Sequence, residues 1–325
     1  MRYRTFPGTG LTASVICLGT ATFGTSTGEP EAFELLDRFV AEGGNFIDTA
    51  LIYGEWVPGG HGLSERTVGR WIEARGRRDD IVLATKGGHP SLSALDRPRL
   101  SPRELVDDLD QSLRNLRTDR IDLYWLHRDD PRRPVAEVTG VLEAQVRAGK
   151  IRAFGCSNWS LERLRAAPFR ANQLMWSLAE PDPDPAAHPV PGLVTMDDAT
   201  YRHHRDSGLP AVAYSAQANG FFAKLRRDGV AGLPEPLRRL YGSPANVAKL
   251  PRLEAIARDL RVSVTAASVA YLLNHEFPTY AIVGCTHPDQ LADTLRAADV
   301  RLGPMSSSGP MSTQDVNTKR PAPTV

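Results

Sequence analysis

Cysteine is scarce in this chain. Three occur among 325 residues, Cys17, Cys156 and Cys285, an odd and widely spaced set in apolar text, which excludes a disulfide framework and leaves packing as their role. A surplus of either charge is missing too. With 39 basic residues against 38 acidic ones, no field is available to attract nucleic acid or an anionic membrane. The opening MRYRTFPGTG has no apolar core of the signal-peptide kind, and no apolar run approaches the ~20 residues of a membrane span. A soluble, cytoplasmic protein without nucleic-acid or membrane partners is therefore expected. Histidines do not cluster either: His61, His89, His203, His204 and His275 scatter over predicted loops and helices without metal-ligand spacing, so no metal is expected and a metal-dependent barrel hydrolase is disfavoured. Two catalytic signatures also fail. GTGLTA, from Gly8, fits the loose dinucleotide pattern but runs into SVICLG, a short β-type stretch, where a fingerprint needs a helix. GCSNW has tryptophan where a nucleophile elbow needs its second glycine.

What is present is a regular alternation of short β-type runs with amphipathic segments. The runs are Val15–Leu18, Asn45–Asp48, Ile81–Lys86, Ile121–His127, Ile151–Ser157, Ala171–Gln173, Ala211–Tyr214 and Ala281–Val283. Helical patterns separate them, such as EAFELLDRFVAEGG, stopped by Gly43 and Gly44, and SPRELVDDLDQSLRNL, opened by Ser101 as N-cap with Pro102 in the first turn. Eight strands, each with its helix, predict an α/β fold of the (β/α)8 TIM-barrel type over residues 1–302. A β-hairpin with Gly8 and Gly10 in its turn would cap the barrel floor at the N-terminal end. The Pro-rich polar text of residues 303–325 reads as a disordered tail.

Barrel chemistry sits at the C-terminal strand ends. There the second run offers Asp48, the third Lys86 and the fourth His127, with Tyr53 one short loop beyond Asp48. Lysine is rare in this chain, only five against 34 arginines, which makes one at a strand end conspicuous. A compact ammonium held by an aspartate beside a phenol would draw the phenol down from its free value of ~10. Tyr53 could then exchange a proton with an alkoxide or alcohol, with His127 orienting a carbonyl and, once protonated, assisting transfer. Singly, each residue reads as packing or a buried ion pair; together at consecutive strand ends they read as an acid–base device.

These residues resemble the aldo-keto reductases along nearly all of residues 1–302. GGNFIDTALIYGE resembles the family's strand-two segment, SERTVGRWI the helix after it, IVLATK its lysine strand, SLRNLRTDRIDLYWLH its histidine strand and GKIRAFGCSNWS its nicotinamide-amide site. The resemblance implies a tetrad of Asp48, Tyr53, Lys86 and His127 with Tyr53 as proton donor. It also implies NADPH bound across the barrel mouth, with NADH as the alternative, and a small aldehyde, ketone or keto-sugar as substrate. By the same likeness Ser157, Asn158 and Gln173 would hold the nicotinamide carboxamide and Tyr214 would stack on its ring. Ser215 with its loop, including Gln217, and Lys224 would meet the phosphates. Ala216 and Gln217 stand where the family has proline and leucine. Near the end, VGCTHPDQLADTL brings Gly284, Thr286, Gln290 and Asp293 to the adenosine-phosphate segment, with Thr294 where asparagine is common.

Pro288 is predicted to open the last helix, with Thr286 close to its N-cap and Asp289 completing a capping box. Free N–H groups there would favour the 2′-phosphate of NADPH, but no Lys or Arg lies between Gly284 and Leu295, so only a modest preference is expected unless Arg296 or another loop contributes charge. For the substrate pocket, Trp56, Trp159 and Trp176 offer either an apolar or sugar-stacking wall or plain rim packing. Arg128, Asp129 and Asp130 offer either polar substrate contacts or a solvated turn. A non-catalytic, nicotinamide-binding regulatory subunit is the alternative to an enzyme.

Overall fold

The computed structural model describes residues 1–188 and 190–302, so the predicted tail lies outside the described residues. Strands β1 (Tyr3–Phe6) and β2 (Leu11–Ser14) pair antiparallel, Tyr3 opposite Ser14 and Phe6 opposite Leu11. Gly8 and Gly10 turn the hairpin at φ +71° and +70°, a region that L side chains avoid. Eight strands follow: β3 (Ile16–Gly19), β4 (Phe46–Asp48), β5 (Val82–Gly87), β6 (Ile121–Leu126), β7 (Ile151–Ser157), β8 (Asn172–Met175), β9 (Ala211–Tyr214) and β10 (Thr279–Val283). They pair in parallel in chain order, and β10 closes on β3. The predicted runs agree with these strands to within two residues at each end, and Ile151–Ser157 and Ala211–Tyr214 coincide with β7 and β9.

The helices between strands form where their start signals stand. Ser101 accepts from the Glu104 N–H while the Glu104 carboxylate accepts from the Ser101 N–H, a complete capping box on helix Pro102–Leu116. Helix Glu29–Ala41 stops before Gly43, at φ +82°, and Gly44, where a Cβ would lie 2.3 Å from the Phe39 ring. Helix Leu63–Arg75 is tied to the back of β5 by buried Glu65, which accepts from Thr85 Oγ1 at 2.6 Å and from Asn115 Nδ2 at 2.8 Å.

Strand alternation separates two cores. Inward-facing Cys17, Phe46, Val82, Ala84, Leu123, Trp125, Ala153, Ala171, Val212 and Tyr280 pack inside the barrel with Phe6, Leu11 and Ala13 from the hairpin. Outward-facing Ile47, Leu83, Tyr124, Phe154 and Leu174 pack beneath the helices. Phe6 stacks on Tyr280 at 4.4 Å with Phe46 edge-on, so the hairpin closes the floor. The three cysteines are free and buried, in keeping with a packing role. Among the described residues no helix is long and apolar enough to cross a membrane.

Candidate active site

The same alternation selects the site. Two residues above Phe46 comes Asp48, two above Ala84 comes Lys86, two above Trp125 comes His127, and two above Ala171 comes Gln173. Ser157 and Tyr214 follow Ala153 and Val212 on the same parity. Polar side chains at the open end thus replace the apolar layers below them, a change of chemistry along an inward-facing column.

Asp48 is buried and fully engaged. Oδ2 accepts from Lys86 Nζ, and Oδ1 accepts from Trp125 Nε1 and Gln173 Nε2, each at 3.0 Å. Lys86 Nζ also donates to the Thr49 carbonyl at 2.8 Å and to the Tyr53 hydroxyl at 3.1 Å, so its three protons are all placed. Burial works against the Lys86 cation, but Asp48 and Tyr53 outweigh it and raise the ammonium above its ordinary value. Burial also raises the Asp48 carboxyl against the pull of Lys86; with three donors converging on its oxygens, we read the pair as ammonium and carboxylate. The sequence predicted a lowered phenol, and here a correction is needed: burial, aided by Asp48, raises Tyr53 more than Lys86 lowers it. The phenol is protonated at neutral pH, and the ammonium is positioned to stabilise the phenolate once a proton leaves.

His127 lies beyond β6 with its ring 6.0 Å from Tyr53 and 4.7 Å from His89. Burial, then His89, Lys86 and Arg128, hold it well below the usual imidazole range. It is a neutral ring whose buried Nδ1 has no partner among the described residues, so assistance by prior protonation, as the sequence suggested, gives way to hydrogen bonding alone.

Trp125 was not singled out from sequence, where a tryptophan inside IDLYWL reads as core. Its indole needs the space left by Gly155 on β7, where a Cβ would lie 2.5 Å from both the Trp125 ring and the Ala171 carbonyl oxygen. Gly155→Ala is accordingly expected to destabilise the fold by about 1–3 kcal/mol through overpacking and to weaken the Trp125–Asp48 bond. Denaturant unfolding checks the first effect and near-ultraviolet circular dichroism the displaced indole.

A cavity of about 760 Å³ opens above this cluster. Asp48, Tyr53 and His127 line its base, while Lys86 is buried beneath it. Ser157, Asn158, Gln173 and Tyr214 line one side. Asn158 Nδ2 donates to Ser157 Oγ at 2.9 Å, and Tyr214 donates to Asn158 Oδ1 at 2.7 Å, which also accepts from the Val194 N–H at 3.0 Å. Ser215, Gln217 and Lys224 continue the wall, with Lys224 Nζ on the Asn219 carbonyl at 2.9 Å. Gly284, Thr286, Gln290 and Asp293 close the far end, where a Cβ on Gly284 would meet nothing within 4 Å. Positive φ at Asn158, Ser215, Ala218 and Asn219 gathers along this wall, the kind of uncommon backbone that ligand-clamping loops adopt.

Several expectations need correcting. His287, not Thr286, is the N-cap of helix Pro288–Leu295, without a side-chain cap bond. Thr286 instead donates from its N–H and hydroxyl to Gln290 Oε1, each at 3.2 Å. Arg296 bonds to the Arg261 carbonyl and does not line the cavity; Arg227, which was not singled out from the sequence, does. Trp159 and Trp176 are core residues, packed on Phe169 and on Tyr271 with His275. Trp56 is 51% exposed beside Tyr53. Asp129 and Asp130 pair with Arg163 and Arg132, leaving Arg128 as the charge of that turn that lines the cavity. Among the described residues no group of three or more His, Cys, Asp or Glu side chains could hold a metal ion.

Comparison with known proteins agrees with this geometry. The model of the "Aldo/keto reductase family" matches residues 15–308. The chain is 32% identical to the "uncharacterized oxidoreductase YrpG" of Bacillus subtilis over 93% of this chain and 92% of that protein. It is 35% identical to protein tas of Escherichia coli over 93% and 94%. A crystal structure of a thermostable aldo-keto reductase, Tm1743, with the inhibitor epalrestat superposes at a TM-score of 0.68 and 27% identity, over 93% of this chain and 96% of that one. With the barrel, the hairpin and these matches in agreement, the chain belongs to the aldo/keto reductase family of NAD(P)H-dependent oxidoreductases.

Proposed function

We propose that this protein reduces the carbonyl of a small aldehyde, ketone or keto-sugar to the alcohol with NADPH, and that Tyr53 is the proton donor. The observation carrying the reading is the Lys86 ammonium, which donates at once to Asp48, the Thr49 carbonyl and the Tyr53 hydroxyl at the base of the cavity. The donor set fits the cofactor. Ser157, Asn158 and Gln173 carry the mixed donors and acceptors that a carboxamide requires, and the cavity runs on to a wall bearing Lys224 and Arg227. Ser157, Asn158, Gln173 and Tyr214 would hold the nicotinamide end, Ser215, Gln217 and Lys224 the phosphates, and Gly284, Thr286, Gln290 and Asp293 the adenosine end. Bound there, the reduced nicotinamide supplies the hydride for the carbonyl carbon.

The chain does the rest. Tyr53 gives its proton to the carbonyl oxygen as charge develops, and Lys86 stabilises the phenolate left behind. Asp48 fixes the ammonium, Gln173 and Trp125 fix Asp48, and neutral His127 orients the oxygen by hydrogen bonding. Screening NADPH oxidation against aldehydes, ketones and keto-sugars tests the reading. Tight cofactor binding without turnover of any of them would instead mark a regulatory subunit.

NADPH is expected to bind more tightly than NADH, by about tenfold. The uncapped start of helix Pro288–Leu295 adds ~0.3–1 kcal/mol for an anion. Arg227 can bring a charge-assisted contact, although Asp228 competes for it at 2.7 Å. Fluorescence titration with both cofactors checks this; equal affinity would remove the 2′-phosphate from this end of the cavity.

A further inference from the structure

Arg128 stands immediately after His127 and lines the cavity together with Tyr53, His127, Asn158, Leu193 and Tyr214. Among the described residues its guanidinium makes no hydrogen bond and no ion pair, and its Nη1 is sealed from solvent without an acceptor. The carboxylates nearest in sequence cannot serve. Asp129 is held by both Arg163 Nε and Nη2, at 2.7 and 3.0 Å, and Asp130 by Arg132 at 2.8 Å. Its neighbours across the cavity, Tyr53 and Tyr214, are phenols that burial keeps neutral. Beneath them the Lys86 ammonium is already matched by Asp48. One full positive charge is thus left uncompensated in a partly desolvated wall, on the side of the cavity that bears the acid–base cluster and away from Lys224 and Arg227.

An unpaired buried cation is costly, whereas the planar fork of arginine meets a carboxylate through two parallel N–H···O bonds. The backbone of the turn is fixed as well: the Arg128 carbonyl accepts from buried Trp159 at 3.3 Å, and Arg163 clamps Asp129 next to it. The guanidinium is therefore presented from a rigid support. A neutral aldehyde would leave the charge unanswered, and a carboxylate on the substrate would answer it.

We infer that Arg128 is a specificity-determining residue that selects carbonyl substrates bearing a carboxylate, so that the natural substrate belongs to the aldehyde- or keto-acids. The inference rests on the carbonyl-reductase reading above and narrows its substrate class. No step of the chemistry changes; the carboxylate is a handle that holds the carbonyl over Tyr53 and His127.

Matched pairs test it: 4-formylbenzoate against its methyl ester, and succinic semialdehyde against methyl 4-oxobutanoate, each assayed by NADPH oxidation with the full-length enzyme. The expected result is an acid-over-ester ratio in kcat/KM of about 100, set mainly by KM, as a buried charge pair supports. In Arg128→Met the ratio should collapse toward about 1, and in Arg128→Lys, which keeps the charge but not the fork, it should be intermediate. A wild-type arm needs no variant to fold: benzoate should inhibit reduction of a neutral aldehyde at least about tenfold more strongly than benzamide. Equal rates for acid and ester, a ratio that survives in Arg128→Met, or benzoate no better than benzamide would overturn the assignment while the reductase reading stands. If no aldehyde of either kind drove cofactor oxidation, the reductase reading itself would fail and this inference with it.

Discussion

Replacing Tyr53 by phenylalanine is expected to lower kcat for carbonyl reduction at least about 100-fold, the loss of roughly 3 kcal/mol that follows removal of one preorganised donor, with NADPH affinity nearly unchanged. The split follows from the geometry. The Tyr53 hydroxyl touches Lys86 and faces the cavity base, whereas Ser157, Asn158 and Tyr214, proposed to hold the nicotinamide, lie on other elements and bond among themselves. Phenylalanine keeps the ring, its packing beside Trp56 and the Lys86 contact to the ring at 4.7 Å, so the fold should survive. Single-turnover reduction together with cofactor fluorescence separates the two effects. An undiminished rate in the variant would take the donor role away from Tyr53.

Lys86→Met should be more damaging, because it strikes chemistry and fold at once. Removing one member of a buried pair costs about 3–5 kcal/mol, since Asp48 keeps its burial but loses its counter-charge. The pH dependence has a definite sign. In the wild type the Lys86 cation has a raised value in the folded state. Its stabilising contribution is therefore complete below the unfolded lysine value of ~10.4 and is lost only as pH rises through the higher folded value. In the variant only the hydrogen bonds from Gln173 and Trp125 still oppose the burial that raises Asp48. A raised carboxyl weakens the folded state as pH climbs above the unfolded value of ~3.9, so the variant should be most stable in mild acid. Residual alcohol oxidation, which needs the phenolate, should move to higher pH because Tyr53 loses the charge that lowers it. Urea unfolding at several pH values, with a pH–rate profile, checks both; an unchanged profile would remove Lys86 from the acid–base role.

The barrel and the polar cluster at its mouth were legible because both depend on short-range regularities: alternation along a strand, and polar residues where the alternation ends. Asp48, Lys86 and His127 could be found from these alone, and Tyr53 from its loop. The further partners of Asp48, Trp125 and Gln173, were not, because the indole of Trp125 reaches it only when β6 is placed two strands from β4 in the closed barrel, 77 residues away in the chain. Loop residues were the least legible. Trp159 and Trp176 turn into the core instead of the cavity, a choice made by the packing of Phe169 and Phe277 rather than by local pattern. The capping box expected near Pro288 does not form, because His287 is the N-cap and its side chain makes no cap bond, while Thr286 bonds to Gln290 instead. Arg227 resembled any solvated arginine until the fold curled its helix over the cavity.

Asp48 accepts hydrogen bonds from β5, β6 and β8 while sitting on β4, so one carboxylate ties the Lys86 ammonium and three other strands together. Substituting Asp48 would therefore disturb hydrogen bonds to three strands at once, the Lys86 contact among them. Arg128 carries no such double duty, for it lies on the turn after β6, outside the strands. A substitution at Arg128 would therefore alter the cavity wall while leaving the strand-to-strand contacts of the barrel in place.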